Sequence, residues 1–341
     1  MGNSGRTHCV VIDTSIWRSH LLLKTPIGKS LVYALGRAKG FIGLPEVVEG
    51  ELIRQVLELR NEAAEPLGKW SRIINTLADS PFDVSIPDDG ALKEKVADRL
   101  RELDPILKRV PFTLDHAKAA LEMVNAKVPP NGEHRQEFKD SAIWQAVLSL
   151  SSEYCVHLVT KDRGFLADPN DPSKGLAKNL QEDCSGRGVR VGVYCDLAAC
   201  LKKMTHDVPA VDHACLRELI LPFVEKSLQM EAARHGFLVG STLKADITAF
   251  RVAKEDRLAV DYEVAAQCRQ NPSVPTDGRA DMRAIAHGSG YYNPVGRSLS
   301  GHFLQYVTFE WSYAGGGHGR ICRSYEGEDV PSPFRRPIPQ E

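Results

Sequence analysis

Cys9-Val10-Val11-Ile12-Asp13-Thr14-Ser15 is the stretch that decides the fold. Four apolar residues in succession, with no polar alternation, describe a strand buried on both faces, the environment of a parallel sheet covered by helices. The run stops at Asp13, and the two hydroxyl residues behind it can cap a following helix and hydrogen-bond the carboxylate. Val156-His157-Leu158-Val159 repeats the arrangement, with Thr160 and Asp162 after it. Open parallel sheets place their ligand sites at the carboxyl ends of the strands, so Asp13 and Asp162 both fall where a site is expected.

Outward from these two runs, helical periodicity covers residues 45–62, 66–77, 91–107, 114–128 and 139–150, and 188–193 reads as a further short strand. Strands alternating with helices predict an α/β domain with a mostly parallel sheet over 1–204. The texture changes near Lys203. A helix over 212–234 carries Leu216, Leu219, Phe223 and Leu228 at helical spacing, and Pro222 predicts a kink. The period then switches to two: Leu258, Val260, Tyr262, Val264 and Ala266 alternate with polar residues, and 303–311 is joined to 320–325 through Gly315-Gly316-Gly317. Residues 205–329 therefore read as a smaller α+β domain with an antiparallel sheet, and 330–341 as a Pro-rich disordered tail.

Composition narrows the class. The 341 residues hold 43 Lys+Arg against 44 Asp+Glu, a net charge of −1, and 43% hydrophobic residues, enough to fill a sizeable core. Near-neutral charge removes the bulk electrostatic sign of a nucleic-acid binder without excluding a local site. The eight cysteines are scattered, with no CxxC pair and no Cys/His grouping at structural-zinc spacing, and predict reduced, mostly buried thiols. No apolar run approaches the ~20 residues of a membrane span, and residues 1–8 lack the apolar centre of a signal peptide, so a cytoplasmic location without membrane contact is expected.

Two more acids join Asp13 and Asp162. Glu51 borders the apolar stripe formed with Val47, Val48 and Leu52, whereas Glu46 and Glu49 fit the first turn as solvated, dipole-compensating acids. Asp140 opens another helix, with Ile143, Val147 and Leu150 placing it on the inward side; Glu137, three residues earlier, is a candidate fifth acid. Converging carboxylates repel one another unless some are protonated or a divalent cation lies among them. Oxygen-only ligands favour Mg2+ or Mn2+, and the chemistry this implies is metal-dependent phosphodiester hydrolysis.

Taken in order, Val10-Val11-Ile12-Asp13-Thr14-Ser15, Leu44-Pro45-Glu46-Val47-Val48-Glu49-Gly50-Glu51-Leu52, Phe138-Lys139-Asp140-Ser141-Ala142-Ile143-Trp144 and Leu158-Val159-Thr160-Lys161-Asp162-Arg163-Gly164-Phe165 resemble the PIN-domain nucleases. The likeness is to their larger branch, with a long helical insertion between the second and third acids, and spans about 8–200. It implies a central parallel sheet flanked by helices and an endoribonuclease that cuts single-stranded RNA with one or two Mg2+ or Mn2+ ions. Asp13 and Asp140 would be the principal ligands, Glu51 a ligand or water-orienting base, Asp162 a ligand to a second ion or an outer acid, and Ser15 and Thr160 would orient carboxylates. The family pattern often has another acid two residues after the fourth, where this chain has Gly164.

Lys139, Lys161 and Arg163 adjoin the acids and are candidates for contacting substrate phosphates. Ile27-Gly28-Lys29-Ser30 lacks the first glycine of a phosphate-binding loop, and His8, His20, His134 and His157 show no ligand spacing. The aromatic tract Tyr291, Tyr292, Tyr306, Phe309, Trp311 and Tyr313 fits core packing better than a base-stacking platform. Two rival readings stand beside RNA cleavage: a nuclease for single-stranded or flap DNA, and a non-catalytic PIN module that binds RNA or a protein. Self-association, an inhibitory protein partner and a toxin–antitoxin role stay open.

Overall fold

The computed structural model describes residues 6–78, 84–133, 135–169, 171–204, 209–253, 256–273, 278–313 and 317–324. His134 and the tail 330–341 lie outside them. Two compact units emerge, Met1–Lys24 with Leu31–His206, and Thr25–Ser30 with Asp207–Glu341. Among the described residues no helix is long and apolar enough to cross a membrane.

The first unit runs β1 (His8–Ile12), α1 (Thr14–Ser19), α2 (Pro26–Ala38, counted with this unit from Leu31 on), β2 (Phe41–Pro45), α3 (Glu46–Leu77), α4 (Asp89–Leu103), β3 (Leu107–Val110), α5 (Leu114–Asn125), α6 (Phe138–Ser151), β4 (Cys155–Val159), α7 (Lys178–Gly186), β5 (Val191–Tyr194) and α8 (Leu197–Met204). The five strands form one parallel sheet in the order β3-β2-β1-β4-β5. An α/β unit of helices on a parallel sheet is thus the fold. Chain order reverses between β1 and β4, so the crevice at their carboxyl ends is the topological switch point, where such sheets bind ligands.

The interior explains which elements flank that crevice. Cys9, Val10, Val11 and Ile12 are completely buried in β1. Helix α6 is buried around its whole circumference from Ala142 to Leu148, with Gln145 the one polar residue among apolar ones, as a helix enclosed on all sides must be. It packs against β2, where Gly43 leaves no room for a Cβ beside Leu150 and Val11.

Several elements depart from the sequence reading. β2 and β3 were not expected: residues 41–45 contain Gly43 and Pro45, and the end of the predicted 91–107 helix is the start of an edge strand. Pro45 ends β2 and caps α3 rather than opening the helix, and α3 passes through Pro66 as one helix of 32 residues. Glu46 and Glu49 are not merely solvated: Glu46 Oε2 accepts from the Phe112 backbone N–H at 2.7 Å, and Glu49 pairs with Arg109 at 3.0 Å. Ile27 to Ser30 belong to α2.

The second unit packs α9 (His213–Arg234) on an antiparallel sheet of β6 (Phe237–Arg251), β7 (Leu258–Gln270), β8 (Arg279–Asn293), β9 (Ser298–Tyr313) and β10 (His318–Ser324), in the order β10-β9-β8-β7-β6. The buried stripe of α9 is Leu216, Ile220, Val224, Leu228 and Ala232, spaced by four, and the helix continues through Pro222. Leu219 and Phe223 are only partly buried at its margin. Tyr292, Phe309 and Trp311 fill the same core. Tyr306 stacks on His287 at 5.0 Å between ring centres, and Tyr313 is exposed.

Candidate active site

Four elements deliver the four acids. Asp13 follows the last residue of β1 and caps α1, Glu51 lies in the second turn of α3, Asp140 in the first turn of α6, and Asp162 three residues beyond β4. Asp13 is held hardest. Its Oδ1 accepts from the Thr14 N–H at 2.6 Å, and its Oδ2 accepts from the hydroxyls of Ser15 and Thr160, each at 3.0 Å. Thr160 Oγ1 in turn accepts from the Asp162 backbone N–H at 2.9 Å, so one buried hydroxyl ties the first acid to the loop of the fourth.

Asp140 and Asp162 meet directly through their side chains. Burial, the contact with Asp162 and the negative charges of Asp162 and Asp13 together hold the Asp140 carboxyl well above its ordinary range. Burial also works against the charge of Asp162, but the contact with Asp140, the Gly164 N–H at 2.6 Å and Arg135 outweigh it and hold this acid low. The Arg135 guanidinium forks onto both Asp162 oxygens, at 3.0 and 2.6 Å, while its Nε donates to Glu137 at 2.7 Å.

Glu51 is reached through Thr14, whose hydroxyl donates to Oε2 at 2.9 Å. Its Oε1 accepts from Gln55 at 3.3 Å, Arg54 pairs with it, and Lys139 donates to Oε2. Burial opposes the Glu51 charge; Lys139, Thr14 and Gln55 prevail and keep its pKa below the usual carboxylate range. Lys139 is thus engaged within the cluster, while Lys161 and Arg163 lie toward the surface. Glu137 caps α6 without a side-chain bond to the helix and turns to Arg135.

The cluster is asymmetric. Asp13 and Asp140 face the crevice without a basic side chain bonded to them among the described contacts, whereas Glu51 and Asp162 carry Lys139, Arg54 and Arg135. No three of the four acids bring ligating oxygens within 4.8 Å of one another; among the described residues that spacing is met by His8, Cys155 and His157. At Gly164 a Cβ would lie 2.4 Å from the Pro130 carbonyl oxygen. The backbone therefore leaves no space for an acid at that position.

Sequence reasoning overlooked Arg135, because a lone arginine in a loop has no periodicity to mark it. The run Arg135-Gln136-Glu137 ahead of an acid-bearing helix was the available hint. An all-parallel sheet with buried carboxylates at its switch point defines an acid-lined α/β site. The family model described as PIN domain matches residues 10–165, so this stretch is similar to the PIN domains, which are generally metal-dependent nucleases. Comparison with curated proteins and with solved structures gave no match.

Proposed function

We propose that the first unit is an endoribonuclease that hydrolyses phosphodiester bonds of single-stranded RNA with Mg2+ or Mn2+ held by Asp13, Glu51, Asp140 and Asp162. One observation carries the reading: a buried Asp140, its charge opposed by burial and by two neighbouring carboxylates, meets Asp162 beyond the carboxyl end of β4, beside the switch point of the sheet. The all-oxygen, charge-rich donor chemistry suits a hard divalent cation, and the acids would draw together from their present wider spacing to share it. When bound there, that ion supplies charge neutralisation at the scissile phosphate and activation of the attacking water.

The protein's own groups supply position. Thr14 N–H, Ser15 and Thr160 fix both oxygens of Asp13, so its orientation costs no rearrangement when substrate arrives. Lys139 and Arg135 bring positive charge to the crevice where an anionic backbone must approach. The second unit selects substrate, restrains the nuclease or mediates self-association.

The test incubates the full chain with an RNA and matched DNA panel in Mn2+, with and without chelator, followed by end-group analysis. Cleavage leaving 5′-phosphate and 3′-hydroxyl ends on RNA supports the proposal, as does its loss in a chain carrying Asp13→Asn and Asp140→Asn. Undiminished cleavage by that variant refutes it. A second reading, a PIN module that binds RNA without cutting it, draws on Arg135 and Lys139, which already neutralise two of the acids. Tight RNA binding by wild-type protein with no cleavage in Mn2+ would select it.

A further inference from the structure

The opposite end of the same sheet carries a second constellation. His8 opens β1 and Cys155 opens β4; these two are register partners, and His157 lies two residues further along β4 on the same face. Register alone brings the three together, across 149 residues of chain between the two histidines. His8 Nδ1 faces His157 Nε2 at 2.9 Å, Cys155 Sγ lies 3.7 Å from the same Nε2, and the ligating atoms of all three lie within 4.8 Å of one another.

We propose that His8, Cys155 and His157 bind one Zn2+-class transition-metal ion, at a site independent of the acidic crevice. Tetrahedral Zn2+ with Zn–N of about 2.0–2.1 Å and Zn–S of about 2.3 Å separates two nitrogens by about 3.3 Å and a nitrogen from sulfur by about 3.6 Å. The Cys155–His157 spacing already matches, and the two imidazoles need to part by only a few tenths of an ångström. A donor set of two imidazoles and a thiolate suits a borderline-soft ion and not Mg2+ or Mn2+. Three protein ligands leave the fourth position to water or an exogenous ligand.

The surroundings are built for a ligating imidazole. Metal-bound histidines characteristically engage their second ring nitrogen with an oxygen partner that fixes the ring. His157 Nδ1 has the Tyr194 hydroxyl at 3.3 Å. That reach depends on Gly192, which pairs with His157 in the register of β4 with β5: a Cβ there would lie 2.7 Å from the Tyr194 hydroxyl. Glycine opposite the histidine lets the tyrosine fold back over its own strand. With a rise of about 3.3 Å per residue, the five steps from His8 to Asp13 place the two sites about 16 Å apart, at opposite ends of β1. An ion at this site would clip β1 to β4.

Cobalt(II) is the probe. The full chain is stripped with chelator and titrated with Co2+, and absorption is read for thiolate-to-cobalt charge transfer and for the intense visible bands of tetrahedral cobalt. One equivalent should produce both, Zn2+ should abolish both by displacement, and Mn2+ should not. Cys155→Ser should lose the charge-transfer band, and Tyr194→Phe, which keeps all three ligands, should bind Co2+ about 10–100-fold more weakly. The double variant Asp13→Asn, Asp140→Asn should keep the band, separating this inference from the nuclease reading. A wild-type chain shown folded by circular dichroism that gives no charge-transfer band overturns the proposal. So does a band that survives Cys155→Ser, which would assign it to another thiol.

Discussion

Replacing Thr160 by Val removes one hydroxyl, keeps the side-chain volume and β-branching, and interrogates the link between two acids. Thr160 is 1% exposed, so water cannot take its place. Its Oγ1 donates to the Asp13 carboxylate at 3.0 Å and accepts the Asp162 N–H at 2.9 Å. A hydrogen bond to a charged group contributes about 1.5–3 kcal/mol and a neutral one about 0.5–1.5 kcal/mol, so the fold should lose about 2–4.5 kcal/mol. Asp13 keeps Ser15 and the Thr14 N–H, so it stays near its position but turns more freely. Loss of one such orienting partner weakens metal binding by about 10–100-fold. Calorimetric titration with Mn2+ alongside urea unfolding measures both quantities, and Thr160→Ser, which restores the hydroxyl, should recover most of each. Mn2+ affinity within twofold of wild type, with an unchanged unfolding midpoint, would refute the claim that this hydroxyl organises the site.

Gly164→Ala forces a methyl against the Pro130 carbonyl and should cost about 1–3 kcal/mol in urea unfolding; an unchanged midpoint would show that the Pro130 loop yields freely. Near neutral pH Asp140 folds only by taking up a proton, because burial, Asp162 and Asp13 raise its carboxyl to about 8; Asp140→Asn removes that cost, so in chelator the variant should gain about 0.5–2 kcal/mol of unfolding free energy while cleavage is lost, with a lower urea midpoint counting against the electrostatic picture. In the second unit, burial holds His302 down to about 4, against the rings of Phe223 and Tyr262. The unfolded chain binds this proton from pH 6.5 downward and the folded one only near 4. Stability from this histidine is therefore intact above 6.5 and falls by about 2 kcal/mol by pH 5. Hydrogen exchange of β9 peptides, corrected for intrinsic rates, should show that loss in wild type and little of it in His302→Gln; equal losses would remove His302 as the cause.

The sequence made the two central strands legible because residues 9–12 are an unbroken apolar run ending at Asp13, and 156–159, interrupted only by His157, lead to Asp162 three residues on. Their neighbours were hidden by local chemistry. Gly43 and Pro45 disguise β2, and Leu107-Lys108-Arg109-Val110 is a short edge strand whose charges continue the helical pattern before it. The stripe of α9 was displaced because Leu219 and Phe223 are apolar yet lie at its margin, and only packing distinguishes margin from centre. Among the site residues, the acids could be read from strand ends and helix stripes. Thr160's double bond, the Arg135 fork and the His8–Cys155–His157 group depend on register and loop path, which no local pattern encodes.

The order β3-β2-β1-β4-β5 also sets when the site can exist. Pairing β1 with β4 closes a loop of nearly the whole first unit, and non-local pairings of that kind repay their closure entropy late. During synthesis, the segment carrying Asp13 and Glu51 leaves the ribosome well before Asp140 and Asp162 do. A partly made chain therefore holds only half of the carboxylates and no crevice to gather them. The four carboxylates can share one crevice only once β4 has docked, so the assembly of the site is timed by the last central strand to emerge.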